Sequence, residues 1–114
     1  MAEPAELTAE DAKLFTLARA ALARLGGAEA AAVRDETGRT YVAGPVSLPS
    51  LTLSALQSVV AVAVASGATK LEAAVLLGPD ELDPAGSAAA RDLLVSGGEL
   101  FLGDRSGTLR SRVP

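Results

Sequence analysis

Residues 50–66, SLTLSALQSVVAVAVAS, decide how the chain is read. By residue type they fit either a strand or a helix: Val and Thr favour the first, length favours the second. Ser50, Ser54, Gln57, Ser58, Ala61 and Ala65 recur at spacings of three and four. They form one small or polar stripe on an otherwise aliphatic helix. A helix that is apolar on nearly every side is buried on several sides. In so small a chain, part of this one is expected to face a partner subunit. A membrane span is the competing reading, because no charged residue occurs between Thr40 and Thr69. Crossing takes about 20 apolar residues. Pro45 and Pro49 hold off any helix until Ser50, Gly67 ends it, and Ser50, Thr52, Ser54, Gln57 and Ser58 dilute it. A buried helix is expected, and no membrane contact.

Upstream, Thr8 and Asp11 are spaced as a weak capping box. Behind them Leu14, Leu17, Ala18, Ala21, Leu22 and Leu25 recur at helical spacing, until Gly26-Gly27 stops the pattern. This predicts an amphipathic helix over 9–25. AEAAAVR (28–34), the turn Asp35-Glu36-Thr37-Gly38 and RTYVAG (39–44) read as a hairpin. Downstream, LEAAVLL (71–77) reads as a buried strand and GPDELDPAG (78–86) as a loop. SAAARDLLV (87–95) reads as a helix capped by Ser87 or an earlier residue and ended by Gly97-Gly98. ELFLG, a turn at 104–107 and TLRSRV give a final strand or hairpin. The order is α-β-β-α-β-α-β with room for one more strand. That alternation implies an α/β domain with a mixed sheet, spanning 1–114 as one unit.

The 114 residues carry a net charge of −4, which disfavours phosphate, and three aromatic residues, Phe15, Tyr41 and Phe101, too few for a base-stacking platform. No nucleic-acid partner is expected. There is no cysteine, hence no disulfide framework. MAEPAELTAED lacks the basic and apolar regions of a secretion signal, so a cytoplasmic address is the expectation. Without His or Cys, no Ser-His-Asp, Cys-His or soft metal site can form. Asp80, Glu81 and Asp83 cluster, and a hard cation could sit there. An acidic turn without an ion is the simpler reading.

Five segments in order give the chain a resemblance to the cytidine deaminase family along nearly its whole length. KLFTLARAALARL is similar to the family's N-terminal helix, and DETGRTYVAGPVS to its first hairpin. LTLSALQSVVAVAVASGATK is similar to its central helix, whose signature begins Leu-Thr-x-Cys-Ala-Glu. SAAARDLL is similar to the second metal helix, with its Pro-Cys-x-x-Cys-Arg-x-x-Leu signature. TLRSRVP falls where family members close with a Leu-Leu-Pro-like tail.

The resemblance implies a three-layer cytidine deaminase-like fold, with a mixed sheet of about five strands and helices on both faces. It also implies a zinc site made by two helix N-termini, where a Zn²⁺-bound water attacks the base while a Glu shuttles protons. Carried over by position, the first ligand falls on Ser54, the shuttle on Leu56 and the Cys-x-x-Cys pair on Ser87 and Ala90, while Arg91 agrees with the family arginine. The ribose-gripping Asn and Glu correspond to Pro45 and Ser47. No metal, no cofactor and no catalytic residue are therefore expected. Tyr41, Ser47, Ser54 and Arg91 remain as candidates for a ligand contact; for Ser54 and Ser87 capping or packing is the simpler role. The leading expectation is a catalytically inactive oligomer, associating through helix 50–66 and serving an unknown protein partner. The alternatives are a sensor binding a nucleoside or related small molecule, and a hydrolase using Asp80, Glu81 or Asp83 with a hard metal.

Overall fold

The computed structural model describes residues 7–113. The acidic segment read for a leader lies mostly in residues 1–6, and the closing proline of the tail is Pro114; both fall outside the described residues. Helix α1 spans Ala9–Leu25, and strands β1 and β2 span Ala30–Asp35 and Thr40–Ala43. A small hairpin follows, β3 (Val46–Leu48) and β4 (Leu51–Leu53), leading into helix α2 (Ala55–Ala65). Strand β5 (Leu71–Leu77), helix α3 (Pro84–Leu93), strand β6 (Leu94–Gly103) and strand β7 (Leu109–Val113) complete the order.

Five strands form one sheet in the order β2-β1-β5-β6-β7. Among the described strands only β5 and β6 run parallel, and α3 is the crossover such a pair requires. The expected mixed sheet is present, with helices on both faces. On one face, α1 places Leu14, Phe15, Ala18, Ala21 and Leu22 over Ala30, Ala32, Val75 and Phe101. There the Phe15 and Phe101 rings meet edge to face, 5.6 Å between centroids. On the other face, Leu56, Val59, Val60 and Ala63 of α2 and Ala90 of α3 cover Ala31, Val33, Ala74, Leu76 and Leu100. Strand β1, between β2 and β5, is buried on both sides, and Ala30, Ala31, Ala32 and Val33 have no exposed surface.

Several boundaries differ from the sequence expectation. The helix read over 50–66 begins at Ala55, because Leu51–Leu53 pairs with Val46–Leu48 across the Pro49-Ser50 turn. Residues 84–86 belong to α3 rather than to a loop: Asp83 is the cap, its Oδ2 accepting from the Gly86 amide at 2.7 Å, and proline is well suited to the first helical position. Gly97-Gly98 do not end that helix. They lie inside β6, which pairs through Leu94 with Leu71 and resumes at Glu99 opposite Ala73. Residues 95–98 bulge out between, with Gly97 at φ 81°. In α1, Leu25 is half exposed, and Phe15 provides the bulk at the core instead. Thr8 does cap α1, accepting from the Asp11 amide at 3.1 Å. The Asp11 carboxylate instead accepts from Arg34 at 3.1 Å, and Arg34 also donates to Glu72 at 3.0 Å.

Candidate functional site

Helices α2 and α3 lie side by side on one face of the sheet, and their first turns meet. The closeness is set by Gly86: a methyl group there would stand 2.8 Å from Cβ of Leu56. The positions singled out in the sequence on these helices are Ser54, Leu56, Ser87, Ala90 and Arg91.

Ser54 is the N-cap of α2. Its Oγ accepts from the Gln57 amide at 3.1 Å, and the Gln57 Oε1 accepts from the Ser54 amide at 3.0 Å, a complete capping box. The next amide, of Ala55, donates to the Glu29 carboxylate at 2.6 Å. An anionic group at a helix N-terminus is favoured by the helix dipole. Sequence reading missed Glu29, since it sits just before β1 and only the fold carries it to α2. The first turn of α2 is thus engaged by the chain's own side chains. Leu56 and Ala90 have no exposed surface and belong to the core between the helices and the sheet. Ser87 Oγ accepts from Nε of Arg91 at 3.2 Å, one helical turn on.

A cleft of about 420 Å³ opens beside the start of α3, lined by Asp80, Glu81, Leu82, Ser87, Leu102 and Val113 among others. Of the positions carried over from the family resemblance, Ser87 lies on its wall, beside Asp80 and Glu81 of the acidic cluster. Arg91 borders a separate hollow of about 270 Å³ with Glu99, Leu100, Arg112 and Val113. Tyr41, Ser47 and Ser54 line neither. Ser47 stands exposed on β3, opposite Thr52.

Tyr41 is half-buried on β2 and its hydroxyl donates to Oδ2 of Asp35 at 2.9 Å. This bond, with burial, raises the Tyr41 pKa above its ordinary value. Asp35 is itself almost fully buried. Burial pushes its carboxyl up. Hydrogen bonds from the Thr37 hydroxyl, the Tyr41 hydroxyl and the Thr37 and Arg39 amides outweigh that and hold it below the usual range. Asp35 is therefore the organiser of the first hairpin, and the Tyr41 hydroxyl is part of that work.

The acidic cluster is dispersed in role. Asp80 pairs with Arg110 at 2.7 Å, Asp83 caps α3, and Glu81 is exposed. Asp83 Oδ1 is buried without a hydrogen-bond partner, as is Ser58 Oγ on α2. Among the described residues, no three carboxylates come together as a metal site would need. Among the same residues, no helix is long and apolar enough to cross a membrane.

Comparison with known proteins agrees with this fold. A cytidine deaminase from Burkholderia pseudomallei superposes with a TM-score of 0.71 at 18% identity, covering 94% of this chain and 92% of that one. A cytidine deaminase from Mycobacterium leprae gives 0.67 at 16% identity, covering 91% and 93%. At such identities the likeness establishes the fold. No curated protein matches the sequence. The family model described as cytidine deaminase-like matches residues 7–107, which run from just before α1 into the β6–β7 turn. On that match and that fold, the chain belongs to the cytidine deaminase-like family.

Proposed function

We propose that this domain performs no deamination and acts as a self-associating interaction module, cytoplasmic and without a nucleic-acid partner. The observation that carries the reading is Leu56. It stands where the family resemblance puts the proton-shuttling glutamate, and it is sealed into the core with no exposed surface. A purely aliphatic side chain has no group that can take or give a proton.

The donor set supports the same reading. Zinc takes Cys, His, Asp or Glu. Ser54 offers a neutral hydroxyl already used as a helix cap, and Ala90 offers no donor atom. If Pro84, the first residue of α3, takes the place of the motif's proline, the ligand pair moves to Ala85 and Ala88, again without a donor. The zinc implied by the resemblance does not fit these residues.

Self-association is supported by the outer face of α2. Val62 and Val64 are 42% and 49% exposed, Ala61 and Ala65 are exposed beside them, and α2 carries no charge. Interface cores are depleted of charged residues in this way.

The test is threefold: zinc content of purified protein, ammonia release from cytidine and deoxycytidine, and mass in solution by light scattering. The expected outcome is no stoichiometric zinc, no ammonia above buffer, and a dimer or larger. One zinc per chain retained through dialysis, or turnover of cytidine, overturns the inactive reading; a monomer overturns the oligomeric one.

The cleft beside Ser87 favours one second reading, a small-molecule sensor. Its walls combine Leu82, Leu102 and Val113 with polar groups at a helix start, the usual make-up of a ligand site. A thermal-shift panel of nucleosides and nucleobases separates the two readings, and no stabilisation at millimolar ligand ends the second.

A further inference from the structure

Resting on the self-association proposed above, we infer that the β3–β4 hairpin is a docking arm that seats on the outer α2 face of a second copy of this chain. Across the hairpin Val46 pairs with Leu53 and Leu48 with Leu51, while Ser47 pairs with Thr52. Directly opposed residues share a face, and successive residues alternate. The hairpin is therefore a two-sided ribbon: four aliphatic side chains on one side, two hydroxyls on the other.

The aliphatic side is only half used within the monomer. Val46 and Leu53, at the base, are partly buried, while Leu48 and Leu51, at the tip, are 58% and 49% exposed. Together with Leu25, Val62 and Val64, they make up the large apolar side chains that the described residues leave exposed. The hairpin is not part of the main sheet, and its strands have three residues each. A two-stranded ribbon of this kind has little stability of its own, so covering the tip adds what the monomer does not supply.

A second copy is the occupant that the charge distribution favours. The chain carries −4, and copies of an acidic protein repel one another wherever carboxylates face carboxylates. Between Thr40 and Thr69 there is no Asp, Glu, Lys or Arg, and this stretch holds both the hairpin and α2. Here two copies meet without opposing like charges. The stretch also supplies both halves of a fit: a narrow aliphatic tip, and a helix face where Ala61 and Ala65 lie between Val62 and Val64. Such a pair can be exchanged reciprocally about a two-fold axis, tip onto helix and helix onto tip. An ordinary dimer buries about 800 Å² per copy, roughly an eighth of the 6110 Å² surface.

Sedimentation and light scattering of four proteins test the arm: the parent, Leu48→Asp with Leu51→Asp, Val62→Asp, and Ala88→Asp on the exposed side of α3 as control. The expected result is a dimeric parent and control, with both apolar-surface variants monomeric and folded by circular dichroism. Because the chain has no cysteine, single cysteines give an independent readout: Leu48→Cys mixed with Val62→Cys should form a mixed disulfide dimer under mild oxidant. A tip variant as dimeric as the parent, or no mixed disulfide from a dimeric parent, overturns the arm. If in that case Val62→Asp is still monomeric, self-association through α2 stands without it. A monomeric parent at about 100 μM, well above micromolar affinities, overturns both readings.

Discussion

Replacing Leu56 tests whether the shuttle position has been absorbed into the core. Leu56 has no exposed surface, packs among Val59, Val60 and Ala90, and has its Cβ 2.8 Å from where a Gly86 methyl would stand. Truncation to alanine removes a fully buried side chain from a seam that cannot close. Comparable sites cost about 3 kcal/mol. At about 4 °C per kcal/mol for a domain of this size, Leu56→Ala should melt about 12 °C below the parent. Leu56→Glu adds an unpaired buried carboxylate to the lost packing and should cost at least about 5 kcal/mol near neutral pH, against a total of about 5–15 kcal/mol for ordinary domains. The sign of its pH dependence is fixed. Burial raises the introduced carboxyl's folded pKa above its unfolded value of about 4.3. The folded state then binds more protons, so stability falls as pH rises from about 4 towards the folded pKa. Thermal melts from pH 4 to pH 8 measure both effects. If Leu56→Glu melts within about 2 °C of the parent with no pH slope, the side chain reaches water, as a proton shuttle must, and the claim of a sealed position fails.

Two further outcomes follow from the fold. Asp35→Ala removes the acceptor of four hydrogen bonds in the first hairpin and should cost about 3 kcal/mol. The native Asp35 carboxyl sits below its ordinary 3.8, so its stabilisation is complete above that pH and is lost as pH falls through the lower folded value. The variant's acid unfolding should lack this limb, and an unchanged acid midpoint counts against the assignment. Gly78→Ala should cost about 3 kcal/mol or more in a denaturant titration, since Gly78 has φ 120° and a methyl group would run into the Ala28 carbonyl oxygen; a change under about 1 kcal/mol counts against that packing.

The sequence expresses most of this architecture directly. Period-3.6 spacing marks α1, the DETG turn marks the first hairpin, and the aliphatic run LEAAVLL marks a strand buried on both faces. The misread pieces share a cause: local punctuation whose meaning depends on distant partners. Val46-Ser47-Leu48 and Leu51-Thr52-Leu53 alternate about Pro49-Ser50, a hairpin signal that the longer helical pattern masks. Gly97-Gly98 looks like a helix stop because nothing local says that Leu94 already pairs with Leu71. Asp83-Pro84 is a cap-and-first-turn signal that the surrounding turn formers obscure. For the site, residue identity was legible at Ser54, Leu56 and Ala90, but their use was not. Ser54 could be placed as a cap, whereas its neighbour Glu29 comes from 26 residues away to take the Ala55 amide. The cleft beside Ser87 is likewise built from α3, β6, β7 and the loop after β5, a convergence no linear pattern encodes.

Strand β1 has one more consequence. Its three alanines lie between α1 on one side and α2 on the other, each fully enclosed. Single methyl groups there let both helical layers come as near to the sheet as they can. Every enlargement, even to valine, wedges a layer outwards and costs about 1–3 kcal/mol. The approach of both helical layers over β1 is thus set by three of the molecule's smallest side chains. Sequence drift has little room at that waist, and is free to accumulate at the rim where the loops lie.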